Sequence, residues 1–189
     1  MKIIRSYDAF EGAASVVALG MFDGVHIGHQ KLIREAVALA RALDAQSVVC
    51  TFDRHPLSVV RPQIAPKPLL PLEGNLAKFE ALGADFALIE SFTPAFGATP
   101  PEDYLRALVK GLRVKAIVAG ENHTFGRAGR GNAALIRELA GELGYRAVIV
   151  PPVMDGDTLC SSTHIRRLLA AGETARAEGL LRIEENPRD

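Results

Sequence analysis

The sequence predicts an α/β fold, a doubly wound parallel sheet of about five strands, on three observations. Short apolar, β-rich runs alternate with helical patterns along the whole chain. The runs are nearly continuous in apolar residues rather than alternating, as in a sheet covered on both faces. With 189 residues, of which 48% are hydrophobic and 23% charged, the chain suits one globular domain with a substantial core.

The elements follow in order. The first strand covers 16–19. A helix over 29–43 carries Leu32, Ala36, Leu39, Ala40 and Leu43 on one stripe. A strand at 47–52 leads into a proline-rich stretch, 54–71, read as a long surface loop. A helix at 76–82, a strand at 86–89 and a helix at 101–112 come next, with Pro101 suited to a first helical turn. The strand at 115–119 is followed by a glycine-rich segment, 126–131, read as a mobile basic loop in which Arg127 and Arg130 either meet a triphosphate tail or are solvated. A helix at 133–143 ends at Gly144, the last strand is 147–150, and helices at 161–171 and 173–181 precede a polar tail, 184–189, expected to fray.

The 22 Lys plus Arg balance the 22 Asp plus Glu, so no general field favours nucleic acid or an anionic membrane. Two cysteines, Cys50 and Cys160, are too few for a disulfide framework, and Cys50 reads as core. No apolar stretch is long enough to span a bilayer, and the first residues turn polar too soon for a secretory signal. A cytoplasmic protein is expected.

In open parallel sheets, ligands bind outside the carboxyl ends of the strands, where strand order reverses. Four unusual loops leave that end: Gly20-Met-Phe-Asp-Gly-Val-His-Ile-Gly-His29, Phe52-Asp-Arg-His-Pro56, Gly120-Glu-Asn-His-Thr-Phe-Gly126 and Cys160-Ser-Ser-Thr-His-Ile-Arg166. In the first, Gly20, Gly24 and Gly28 permit close approach of backbone to ligand. His29 opens a helix, whose free N–H groups and dipole favour phosphate, and His26 and His29 can donate hydrogen bonds to phosphate oxygens. Two other uses of the pair stay open: metal ligation, with no third ligand nearby in sequence, and helix capping at the surface. In the last loop, Ser161, Ser162 and Thr163 can cap a helix or bind phosphate, and Arg166 carries a fork suited to bidentate contact. His55, His123 and His164 are given no catalytic role.

The first loop resembles the His-x-Gly-His signature of the nucleotidylyltransferase superfamily, and the last resembles its Ser-Ser-Thr-x-Ile-Arg signature. The four loops together are similar to those of prokaryotic FAD synthetase, the adenylyltransferase module of the bifunctional riboflavin kinase/FMN adenylyltransferase, from about residue 16 to 181. The resemblance implies a Rossmann-like nucleotidylyltransferase fold, ATP and FMN as substrates, Mg²⁺ as cofactor, and FAD and pyrophosphate as products. It implies His26, His29 and Arg166 as catalytic, and Gly20, Phe22, Asp23, Gly24, Gly28, Asn122, Ser161, Ser162 and Thr163 as further nucleotide-binding residues. Asn122 would also lie by the metal, with Asp53, Pro56 and Phe125 on the flavin side. The chain is expected to be a single FMN adenylyltransferase domain over 1–189, without the riboflavin kinase module: either a stand-alone synthetase, served by a separate riboflavin kinase, or an excised module. His123 departs from a position more often aromatic in the family, and Glu73-Gly74-Asn75 replaces the family's usual acidic-basic pair. Other acceptors of the same chemistry stay open: phosphopantetheine, nicotinamide mononucleotide, or glycerol phosphate with CTP. So does a non-catalytic flavin-nucleotide binder.

Overall fold

The computed structural model describes residues 1–183; the expectation of a frayed tail at 184–189 lies outside them. In chain order the elements are β1 (Lys2–Ile4), β2 (Ser15–Leu19), α1 (Ile27–Ala42), β3 (Gln46–Phe52), α2 (Leu57–Val60), α3 (Leu72–Ala81), β4 (Phe86–Glu90), α4 (Pro94–Gly97), α5 (Pro101–Leu112), β5 (Val114–Gly120), β6 (Thr124–Phe125), β7 (Gly131–Asn132), α6 (Ala133–Leu143), β8 (Arg146–Val150), β9 (Met154–Asp155), β10 (Thr158–Leu159), α7 (Ser162–Ala170) and α8 (Thr174–Leu181).

The central sheet has six strands in the order β1-β4-β3-β2-β5-β8. Every neighbouring pair in it is parallel. From β2 the chain builds outward through β3 to β4, then returns to add β5 and β8 on the other side. Strand order therefore reverses at β2 and β5, and the loops after these two strands flank a crevice.

Successive side chains of β2 point to opposite faces and feed two cores. Val17 and Leu19 join Leu105, Leu108 and Ile136 of α5 and α6. Val16 and Ala18 join Ile33, Ala36 and Phe79 of α1 and α3. A third cluster, Cys160, Ile165, Leu168, Ala177 and Leu180, lies under α7 and α8.

Several expectations need correction. The sheet gains an edge strand, β1, which offers only Ile3 and Ile4 as apolar signal; Ile3 remains exposed because one face of the edge is open. The stretch 54–71 is not all loop but contains α2 and a 3₁₀ turn at Pro62–Ile64. The third helix starts at Leu72, not 76, because Pro71 sets the extended entry that precedes it; Glu73, Gly74 and Asn75 are helical. The segment 126–131 is no open loop either. Antiparallel pairing of β6 with β7 closes it, and Arg127 N–H donates to Thr99 O at 2.7 Å. Arg127 and Arg130 line a separate depression with Glu102 and Glu138.

Candidate active site

The loop leaving β2 is held from beneath. Thr51 Oγ1 donates to Met21 O at 3.0 Å, and Gly24 N–H donates to Asn75 Oδ1 at 3.0 Å. Gly24 has φ +80°, and a Cβ there would lie 2.9 Å from Leu69 and from Leu181, so only glycine fits. Phe22 and Val25 also sit left-handed, at φ 51° and 47°; strain of this kind needs surrounding structure to hold it.

His26, not His29, caps α1: its extended backbone stops the helix and its Nδ1 accepts the His29 N–H at 3.4 Å. The two imidazoles stack with centroids 3.7 Å apart, and His29 meets Phe22 edge-on at 5.2 Å. Cys160 Sγ lies 3.8 Å from His26 Nδ1. With Nδ1 accepting, the neutral ring of His26 carries its hydrogen on Nε2. Burial, with Lys78 adding to it, lowers the pKa of His26 to about 4. Burial, then His26 and His123, hold His29 well below the ordinary imidazole value. Near neutral pH both rings are therefore uncharged hydrogen-bond donors.

A second helix N-terminus faces the first. Ser161 caps α7 by accepting the His164 N–H at 3.2 Å, and Ser162 Oγ donates to Asp23 O at 2.9 Å. Between α1 and α7 lies a cavity of about 410 Å³ whose wall includes His26, Gly28, His29, Asn122, Ser161 and Ser162. Backbone N–H groups and two helix dipoles converge on it, the arrangement that suits phosphate.

A cavity of about 470 Å³ adjoins it, walled by Phe52, Leu57, Phe92, Phe96, Tyr104 and Phe125. The aromatic rings pack edge to face, Phe52 on Phe92 at 5.3 Å and Phe96 on Tyr104 at 5.8 Å. Behind them, buried Glu90 accepts from Tyr7 Oη at 2.8 Å and Tyr104 Oη at 2.9 Å. Burial raises the Glu90 carboxyl above its ordinary pKa despite both hydrogen bonds. Gly20, Pro56 and His123 line both cavities.

Of the residues expected here, His26, Gly28, His29, Asn122, Ser161 and Ser162 share the first cavity, Phe125 lies in the second, and Gly20 and Pro56 in both. The others stand off these walls. Phe22 is fully buried against Phe79, and Gly24 packs against Leu69 and Leu181. Thr163 is exposed, two residues past the cap. Arg166 does not present an open fork: it is paired with Asp23 and donates from Nε to Lys67 O at 2.9 Å. Asp23 also accepts the Leu69 N–H at 2.8 Å, so this pair ties three segments together. Asp53 accepts the Phe92 N–H at 3.1 Å and lies in a small cleft beside Met21 and Leu70. Sequence reasoning missed Phe92, Phe96, Tyr104, His123 and Cys160. The loop after β4 leaves the same end of the sheet as the other four and carries Phe92 and Phe96, which was the available signal.

Among the described residues no group of three or more His, Cys, Asp or Glu stands together to hold a metal ion, and no helix is long and apolar enough to cross a membrane.

Paired helix N-termini and neutral imidazoles at the switch point of a parallel sheet, beside an aromatic cavity, form an arrangement suited to a ligand that carries both phosphate and a flat ring. The family model described as FAD synthetase matches residues 10–164, and the chain belongs to that family. It is 35% identical over 177 residues to the bifunctional riboflavin kinase/FMN adenylyltransferase of Listeria monocytogenes, covering 92% of this chain and 55% of that one. It therefore spans little more than half the length of this relative. A relative of similar length, the putative bifunctional riboflavin kinase/FMN adenylyltransferase of Geobacillus thermodenitrificans, is 33% identical, with 96% of this chain and 97% of that one covered. A crystal structure titled as a macrolide-efflux protein from Streptococcus pneumoniae superposes with a TM-score of 0.82 at 29% identity, over 95% of this chain and 60% of that one.

Proposed function

We propose that the chain transfers the AMP part of ATP to FMN, giving FAD and pyrophosphate. The observation that carries this reading is the pair of adjoining cavities, one built for phosphate and one for a flat aromatic ring, meeting at Gly20, Pro56 and His123. ATP occupies the first, its phosphates against the N-termini of α1 and α7. The isoalloxazine occupies the second, among Phe92, Phe96, Tyr104 and Phe125.

An oxygen of the FMN phosphate attacks the α-phosphorus of ATP, the bond to the β-phosphate oxygen breaks, and pyrophosphate leaves. The nucleophile is already anionic, so the protein positions the reactants and neutralises developing charge. His26 and His29 donate hydrogen bonds to phosphate oxygens without adding a charge, and the amides of both helix ends do the same. Mg²⁺ commonly binds through substrate phosphates with few protein ligands, and this wall, with the Asn122 amide beside Glu121, fits that role. A bound Mg²⁺ would neutralise phosphate charge.

We read the 189 residues as an adenylyltransferase domain acting in the cytoplasm on FMN made by riboflavin kinase activity. The test is FAD formation with stoichiometric pyrophosphate release from ATP, with FMN, nicotinamide mononucleotide and phosphopantetheine offered in parallel. Turnover with FMN alone supports the reading; turnover only with another acceptor, or binding of FMN without turnover, overturns it. The same chain given riboflavin and ATP should produce no FMN.

A further inference from the structure

His123 stands on the wall common to both cavities. Its backbone N–H donates to Gly120 O at 3.0 Å, which folds the loop after β5 back against the strand end. Its ring stacks on Phe125, with centroids 5.7 Å apart and planes 15° apart, so its plane is set by an aromatic neighbour rather than by hydrogen bonds. Burial lowers its pKa to about 4, so near neutral pH the ring offers one N–H donor and one acceptor, uncharged. It is close enough to His29 to depress that ring's basicity as well.

The other residues of the shared wall are Leu19, Gly20, Phe52, Pro56 and Thr124. Thr124 is exposed, and the first four have no polar side-chain atom. A ligand with an aromatic body in one cavity and a phosphate reaching into the other must carry that phosphate across this wall. Desolvating an anion there without a donor would be costly.

We propose that His123 is a phosphate-reading residue, donating a ring N–H to an oxygen of the acceptor phosphate where it passes from the aromatic to the nucleotide cavity. The inference rests on the FMN reading and deepens it. His123 distinguishes a phosphorylated flavin from the same flavin without phosphate, and it orients the attacking oxygen.

The test compares FMN with riboflavin, which differ by that phosphate. His123→Phe keeps a flat ring to stack on Phe125 and removes the donor; His123→Asn keeps a donor and loses the ring. Flavin affinities are read by fluorescence quenching and ATP affinity by calorimetry. For His123→Phe, FMN affinity should fall about tenfold, the loss expected for one charge-assisted hydrogen bond. Riboflavin and ATP affinities should stay within about twofold, since no uniform packing change is expected. His123→Asn should recover part of the preference for FMN. Parallel loss of FMN and riboflavin in His123→Phe would reduce the residue to packing and overturn the proposal, as would an unchanged preference in both variants. If the wild type forms FAD and the variants keep its preference, this inference alone fails. If the wild type binds neither flavin, the FMN reading fails with it.

Discussion

At the residue scale, the histidines carry a pH dependence whose sign follows from burial. His26 has its pKa lowered to about 4 in the folded protein, against about 6.5 for a free imidazole. The folded state resists protonation of this ring and the unfolded state accepts it. The associated stability is therefore complete above about pH 6.5 and is lost as pH falls towards 4. At 1.36 kcal/mol per unit, His26 accounts for about 3 kcal/mol of that loss. His26→Gln should remove this component, so urea unfolding at pH 7.5 and pH 4.5 should show a smaller drop in the variant than in the wild type; equal drops would mean that the ring is not neutral and buried. The Asp23–Arg166 pair gives a second expectation. Both side chains are largely buried and tie the β2 loop to α7. Asp23→Asn leaves the guanidinium without its counter-charge and should cost about 3 kcal/mol in urea. Arg166→Lys loses the fork geometry and should also destabilise. If Arg166 grips ATP during turnover, Arg166→Lys will weaken ATP binding in calorimetry well beyond Asp23→Asn; equal effects would leave the arginine a bracket for the loop.

At the element scale, legibility followed the strength of local signals. The helices over 101–112 and 133–143 were readable to the residue, because Pro101 starts one and Gly144, at φ 72°, ends the other. The strands were readable because burial on both faces leaves continuous apolar runs. β1, β6, β7, β9 and β10 were not, since two or three residues carry no period and their pairing is set by distant partners. The histidine loop and the Ser161 cap were legible for their helix-start chemistry. The aromatic cavity was not, because Phe92, Phe96 and Tyr104 look like ordinary core until the loop after β4, α4 and α5 bring them together, Phe92 and Phe96 against Phe52 and Tyr104 against Phe96. The β9–β10 hairpin supplies another expectation. Its Asp155 is held by His164 Nε2 at 2.8 Å and Arg176 Nε at 2.9 Å, while Leu159 at its far end lines the nucleotide-side cavity. Asp155→Ala should speed amide exchange across 154–159 and raise KM for ATP, with little change in global stability because these contacts lie near the surface. Unchanged exchange in this segment would show that the contacts do not hold it.

At the scale of the whole molecule, the fold consists of a sheet sandwich and a smaller unit, α7 with α8, whose core is separate from the two sheet faces. The site lies where the two meet, so its phosphate side depends on how firmly the small unit is docked. Lys78 of α3 makes that connection: its Nζ donates to Gly24 O at 2.9 Å and to Leu181 O at 2.6 Å, joining the histidine loop to the end of α8. Gln30 adds a parallel tie, its Nε2 donating to Val25 O at 3.0 Å and Arg182 O at 2.9 Å. Lys78→Met keeps the length and apolar stem of the side chain and removes both charged hydrogen bonds, so it should weaken docking by about 2 kcal/mol. The loss should be local. Amides of α7 and α8 should exchange through an opening of lower free energy, while those of β2, β3 and β5 keep the global value. The Gly24 turn relaxes with the same change, so ATP affinity should fall and FMN affinity, set in the aromatic cavity on the far side of His123, should hold. Exchange that accelerates equally in sheet and helices would mean that the chain opens as one unit, with α7 and α8 no more separable than any other helix.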